Sequence, residues 1–130
     1  MIGIVIVAHG GLAKEYLAAI EHVVGEQPGM KAVSIEPDHD RDAKQQEICV
    51  AADDVDLGDG VIVVTDLFGV SPSNLSLQAC RPQNRRILYG ANLPMLIKLA
   101  KSRQLSVADA VRSAMDAGKK YIDAQNVSRD

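Results

Sequence analysis

The stretch Ile2-Gly3-Ile4-Val5-Ile6-Val7-Ala8-His9-Gly10-Gly11 decides the fold. Residues 2–8 are apolar and largely β-branched with no polar alternation, the pattern of a strand buried on both faces of a parallel sheet. Two glycines follow, and then Leu12, Tyr16, Ala19, Ile20, Val23 and Val24 recur at helical spacing until Pro28 and its flanking glycines break the pattern. A strand, a tight turn and an amphipathic helix in that order form the repeating unit of an open α/β sheet. His9 then falls at the carboxyl end of the strand, where such sheets place their chemistry and a nearby helix N-terminus can receive an anion. An imidazole in that position is a candidate nucleophile.

Working outward, the unit repeats. Residues 31–36 read as a second strand, after which Asp40 opens a weaker helix whose inward face is predicted to be Ala43, Ile48, Ala51 and Ala52. Gly58-Asp59-Gly60 turns into a third strand over 61–66, again apolar almost throughout. Leu67-Phe68-Gly69-Val70 leads to Ser71-Pro72, where Ser suits a helix cap and Pro its first position. A fourth strand over 86–89 is followed by Gly90-Ala91-Asn92 and a helix over 93–103. Ser106 with Asp109 resembles a capping box, and Val107, Val111, Ala114, Met115, Gly118, Tyr121 and Ile122 give the last helix its face. The expectation is one domain over 1–130, a three-layer α/β sandwich with a mainly parallel, doubly wound sheet. The polar tail around Val127 either frays or adds an edge strand to a partner.

Composition narrows the function classes. Hydrophobic residues make up 47% of the chain, ample for one core, but Trp is absent and Phe68 is the single Phe, so no base-stacking platform can be built. The net charge of −3 argues against nucleic acid, which needs a clustered basic face. Arg81, Arg85 and Arg86 form the one basic cluster and read as a solvated turn. Cys49 and Cys80 lack the spacing of a zinc site or a disulfide framework, and His39, although between Asp38 and Asp40, has neighbours that do not converge on one ion. No metal or cofactor is expected. The N-terminal apolar run is too short to span a membrane and lacks the basic start of a secretory signal, so direct membrane insertion is not expected and a cytoplasmic location is.

In a parallel sheet the loops after strands one, three and four leave the same edge. They carry His9-Gly10-Gly11, the segment from Asp66 to Pro72, and Gly90-Ala91-Asn92. This inventory suits phosphoryl transfer through histidine. A neutral imidazole attacks through one nitrogen when the other holds the proton, and a carboxylate accepting that N–H selects the tautomer. Asp66 is the candidate orienter. The amides of Gly10 and of the turn Gly69-Val70-Ser71, with the Ser71 hydroxyl, are the candidate phosphoryl donors. A nucleotide or flavin module is disfavoured, since neither GxGxxG nor GxxxxGK[ST] follows a strand.

At these residues the chain resembles a known family. The stretches around Ala8-His9-Gly10, from Val64 to Asn74, and Gly90-Ala91-Asn92-Leu93-Pro94-Met95-Leu96 are similar to the IIA enzymes of the mannose family in the bacterial sugar phosphotransferase system. The resemblance implies phosphorylation of His9, a hydrogen bond from its ring to Asp66, and contact of the Ser71 loop with the phosphoryl group. It also implies a donor, the phosphocarrier HPr, a separate IIB component as acceptor, and a homodimer in which a C-terminal antiparallel edge strand is exchanged. Compared with mannose-transporter members, the third-strand loop keeps its aromatic, Phe68, but has Val70 in place of a second glycine. Two further readings keep the same histidine: the IIA-like donor subunit of a dihydroxyacetone kinase, and a regulatory binding protein that senses phosphorylation without serving a permease.

Overall fold

In a computed structural model of the chain, the structure describes residues 1–67 and 74–128. The described elements run β1 (Gly3–His9), α1 (Leu12–Val24), β2 (Met30–Ile35), α2 (Arg41–Val55), β3 (Val61–Thr65), a 3₁₀ turn (Gln78–Cys80), β4 (Arg85–Leu88), α3 (Leu93–Ala100) and α4 (Val107–Lys120). The sheet has the order β2-β1-β3-β4 and every pair is parallel. Each expected strand is present, with ends within one residue of those expected. Residues 122–128 carry no strand in the single chain.

The apolar runs are continuous because the strands are covered on both sides. Ile4, Ile6, Ile62 and Val64 point into one layer with Ile20 of α1, Leu96 and Leu99 of α3 and Ala110 and Ala114 of α4. Val5, Val7, Val61 and Val63 point the other way, against Ile48, Ala52 and Val55 of α2 and Ala79. Cys49 and Cys80 pack against that second layer, and burial pushes the Cys80 thiol up to about 11, so it is protonated at neutral pH.

Several helix faces differ from the periodicity. In α1 the buried residues are Ala13 and Ile20, with Tyr16, Leu17 and Val24 packed beside them, whereas Leu12 and Val23 face solvent. Ala43 is exposed in the first turn of α2, where its amide is capped by the Asp40 carboxylate at 3.1 Å. The third helix ends at Ala100 instead of running to Arg103, because the chain turns and sends Arg103 inward. Its guanidinium donates to the carbonyls of Ile2 (2.8 Å) and Gly29 (3.0 Å). Arg85 is not part of a solvated turn. Its side chain is 8% exposed and ties β4 to α2 through Asp53 (2.8 Å) and Asp56 (3.0 Å), while donating to Ala79 O.

Candidate active site

In the order β2-β1-β3-β4 the chain winds outward from β1 to β2, then crosses back to β3. The switch point lies between β1 and β3, and crevices that bind ligands open there beyond the strand carboxyl ends. His9 ends β1 and Asp66 directly follows β3, so the sheet topology sets the two on either side of that point.

Their contact is direct. The His9 backbone N–H donates to Asp66 Oδ2 at 3.1 Å, and ring Nδ1 lies 2.8 Å from the same oxygen. The Leu67 N–H donates to Oδ1 at 3.0 Å. Burial by itself would raise the Asp66 pKa, but the backbone and ring N–H groups of His9, with its charge, outweigh it and hold the carboxyl below its usual value. An ionised carboxylate only accepts, so Nδ1 carries a proton, and in the neutral form of the ring Nε2 is the nitrogen with the lone pair. Among the described residues Nε2 has no partner. The His9 side chain is 49% exposed against 11% for Asp66, which puts the orienting group under cover and leaves the ring accessible.

Neighbouring loops close in on this pair. Gly10 adopts φ +56°, a conformation that favours glycine, and turns the chain from β1 into α1. Its amide does not serve as a free phosphoryl donor: it is spent on the Ile35 carbonyl at 3.0 Å, because β1 and β2 remain paired up to that residue. What lies beside His9 instead is the start of α1, which begins at Gly11 with no side-chain cap, so its first-turn amides and the positive end of its dipole face this edge. This is the helix N-terminus that the strand-turn-helix pattern places beside His9, and Gly11 at its cap offers no side chain to occupy it. The third loop joins through the Ala91 N–H on Thr65 O (3.0 Å), and the Tyr16 hydroxyl reaches the Ala91 carbonyl from α1 at 3.3 Å. Asn92 caps α3 by accepting from the Met95 amide at 3.0 Å. Gly69, Val70 and Ser71 lie outside the described residues.

Of the other histidines, His22 is exposed, and His39 places Nδ1 2.7 Å from the Glu36 carbonyl. Among the described residues no group of three or more His, Cys, Asp or Glu is arranged to hold a metal ion, and no helix is long and apolar enough to cross a membrane.

Known proteins resemble this chain over most of its length. The family model EIIA-man, described as PTS system fructose IIA component, matches residues 3–115. The chain is 26% identical over 120 residues to the PTS system sorbose-specific EIIA component of Lacticaseibacillus casei, covering 91% of this chain and 86% of that protein. Among solved structures it is similar to phosphotransferase system component EIIA from Streptococcus agalactiae, with TM-score 0.80, 26% identity, and 95% and 97% of the two chains covered. The mannose/sorbose specific IIA subunit from Enterococcus faecalis has the same fold, with TM-score 0.85 at 24% identity over 98% and 97% of the chains. With the family matched along most of its length, this chain belongs to the EIIA-man family and is a IIA component of the phosphotransferase system.

Proposed function

We propose that this IIA component is a phosphohistidine relay in which His9 receives a phosphoryl group on Nε2 from the phosphocarrier HPr and passes it to a separate IIB component. The contact of Nδ1 with Asp66 at 2.8 Å supports this reading most strongly. With Nδ1 protonated, the Nε2 lone pair attacks phosphorus while the N–P bond of the carrier's phosphohistidine breaks, and its electron pair returns to the carrier's ring. The His9 ring gains positive charge as the new bond forms, and Asp66 stabilises that charge at the opposite nitrogen, away from the dianion. Phosphoryl transfer asks the protein chiefly for position and charge stabilisation. In this reading the amides of Gly69, Val70 and Ser71, the Ser71 hydroxyl and the first turn of α1 hold the phosphoryl oxygens, and Gly10 supplies the turn.

The same reading carries a homodimer and a cytoplasmic location, where the carrier resides. Incubation with HPr, its kinase and labelled phosphoenolpyruvate is expected to add one acid-labile phosphoryl group, and ³¹P–¹⁵N couplings to place it on Nε2. His9→Ala is expected to remain folded and unlabelled; labelling that persists in His9→Ala overturns the proposal.

A further inference from the structure

Between α3 and α4 lie two adjoining depressions of about 380 and 350 Å³ that share Lys98, Ala117 and Tyr121. The floor of the larger is mainly apolar, built from Leu93, Ile97, Ala117 and the Tyr121 ring, which is 66% exposed. Lys98, Lys101 and Lys120 rim the groove, with Asp116 the only carboxylate in its lining among the described residues.

We propose that this groove docks an acidic amphipathic segment of a partner protein, its apolar face on the floor and its carboxylates against the three lysines. Charge complementarity carries the assignment. The chain as a whole is anionic, at −3, yet this face is cationic. Among the described residues none of the three lysines forms an ion pair, whereas Lys31 and Lys44 both do. Helix dipoles favour cations at helix C-termini, which accounts for lysine at the ends of α3 and α4 but not for the uncovered aromatic and aliphatic surface between them. Lys120 lies over the Tyr121 ring, 5.5 Å from its centroid, so one cation and one apolar surface are presented together. A groove between two helices fits a helical segment read at i, i+3, i+4 and i+7. A membrane is a poorer match, because a concave surface carrying Asp116 does not lie flat on an anionic bilayer.

The inference does not depend on His9, and its test is separate. The probe is a fluorescein-labelled helical peptide with Leu on one face and Glu on the other, titrated into the full chain by anisotropy, with ¹⁵N spectra locating the contact. Binding is expected at roughly 10–100 μM, weakening with salt, shifting the amides of Leu93, Ile97, Ala117 and Tyr121, and persisting in His9→Ala. Lys98→Glu with Lys101→Glu is expected to weaken it at least about tenfold, one unit of 1.4 kcal/mol, with Lys31→Glu unchanged. Equal binding of the peptide with Lys for every Glu, no binding of either, or indifference to the charge reversal overturns the proposal. Two further results also overturn it, in favour of another occupant. One is capture on phosphatidylglycerol vesicles that the double reversal abolishes; the other is a concentration-dependent dimer that the reversal disperses.

Discussion

The two ends of the sheet use charged side chains in opposite ways. At the amino edge Arg103 is 4% exposed, and each of its nitrogens donates to a protein acceptor: the Ile2 carbonyl, the Gly29 carbonyl and the Gln27 side chain. Its own carbonyl accepts from the Ile2 amide at 2.9 Å, so the loop and the entrances to β1 and β2 are closed into one unit. At the carboxyl edge His9 is half exposed, one ring nitrogen is fixed by Asp66, and the other has no partner among the described residues. A buried guanidinium with all three nitrogens engaged holds the fold, while a ring left half satisfied and accessible can react. Under the proposed relay, stability and chemistry are assigned to opposite edges, as expected where loops on a rigid scaffold carry function.

Substitutions at each edge should then have separable effects. The largest is expected for Asp66→Asn, which preserves shape but cannot enforce a protonated Nδ1 or neutralise the ring charge. Phosphoryl acceptance by His9 should fall by about 100-fold or more while the thermal midpoint moves little. An unchanged rate in single-turnover labelling would break the comparison at the carboxyl edge.

Arg103→Met should do the reverse. It fills the volume but leaves the Ile2 and Gly29 carbonyls without these donors, and urea unfolding should show a loss of about 2–4 kcal/mol. The folded fraction should accept phosphate at the wild-type rate. Equal loss of rate and stability would show that the two edges are coupled.

The smallest effect is on acid stability. The Asp66 carboxyl is held below its ordinary pKa in the folded chain, so the folded state binds fewer protons there than the unfolded state. Its contribution is fully present above the ordinary carboxylate pKa of about 3.9 and is lost as pH falls through the lower folded value. Urea midpoints measured from pH 7 downward should decline less steeply in Asp66→Asn than in the wild type over that acid range. Parallel curves would mean that the pair contributes to chemistry but not to stability.

Much of the architecture was legible in the sequence. The runs 2–8 and 61–66 were apolar enough to be read as doubly covered strands, and both are; Asp40 and Ser106, read as openers of helices, each cap one through their side chains. Less legible were the helix faces and the arginines. Leu12 and Val23 share a helical period with buried residues yet lie at the edges of the packed stripe, where period alone does not separate covered from open surface. Arg85 read as part of a solvated turn and Arg103 as a helix end because their acceptors, Asp53, Asp56, Ile2 and Gly29, are remote in sequence. The Gly10 amide likewise looked available until β2 was seen to pair alongside it.

The sequence by itself determined the alternation of strand and helix, the parallel sheet it requires, and a histidine and an aspartate at the ends of two strands, because these follow from local periodicity and turn chemistry. Only the tertiary structure decided that β1 and β3 are neighbours across the switch point. It also decided that one Asp66 oxygen holds both the backbone and the ring of His9, and that the buried arginines brace the remainder. Those outcomes depend on strand order and on acceptors distant along the chain, and neither is encoded in any short stretch of residues.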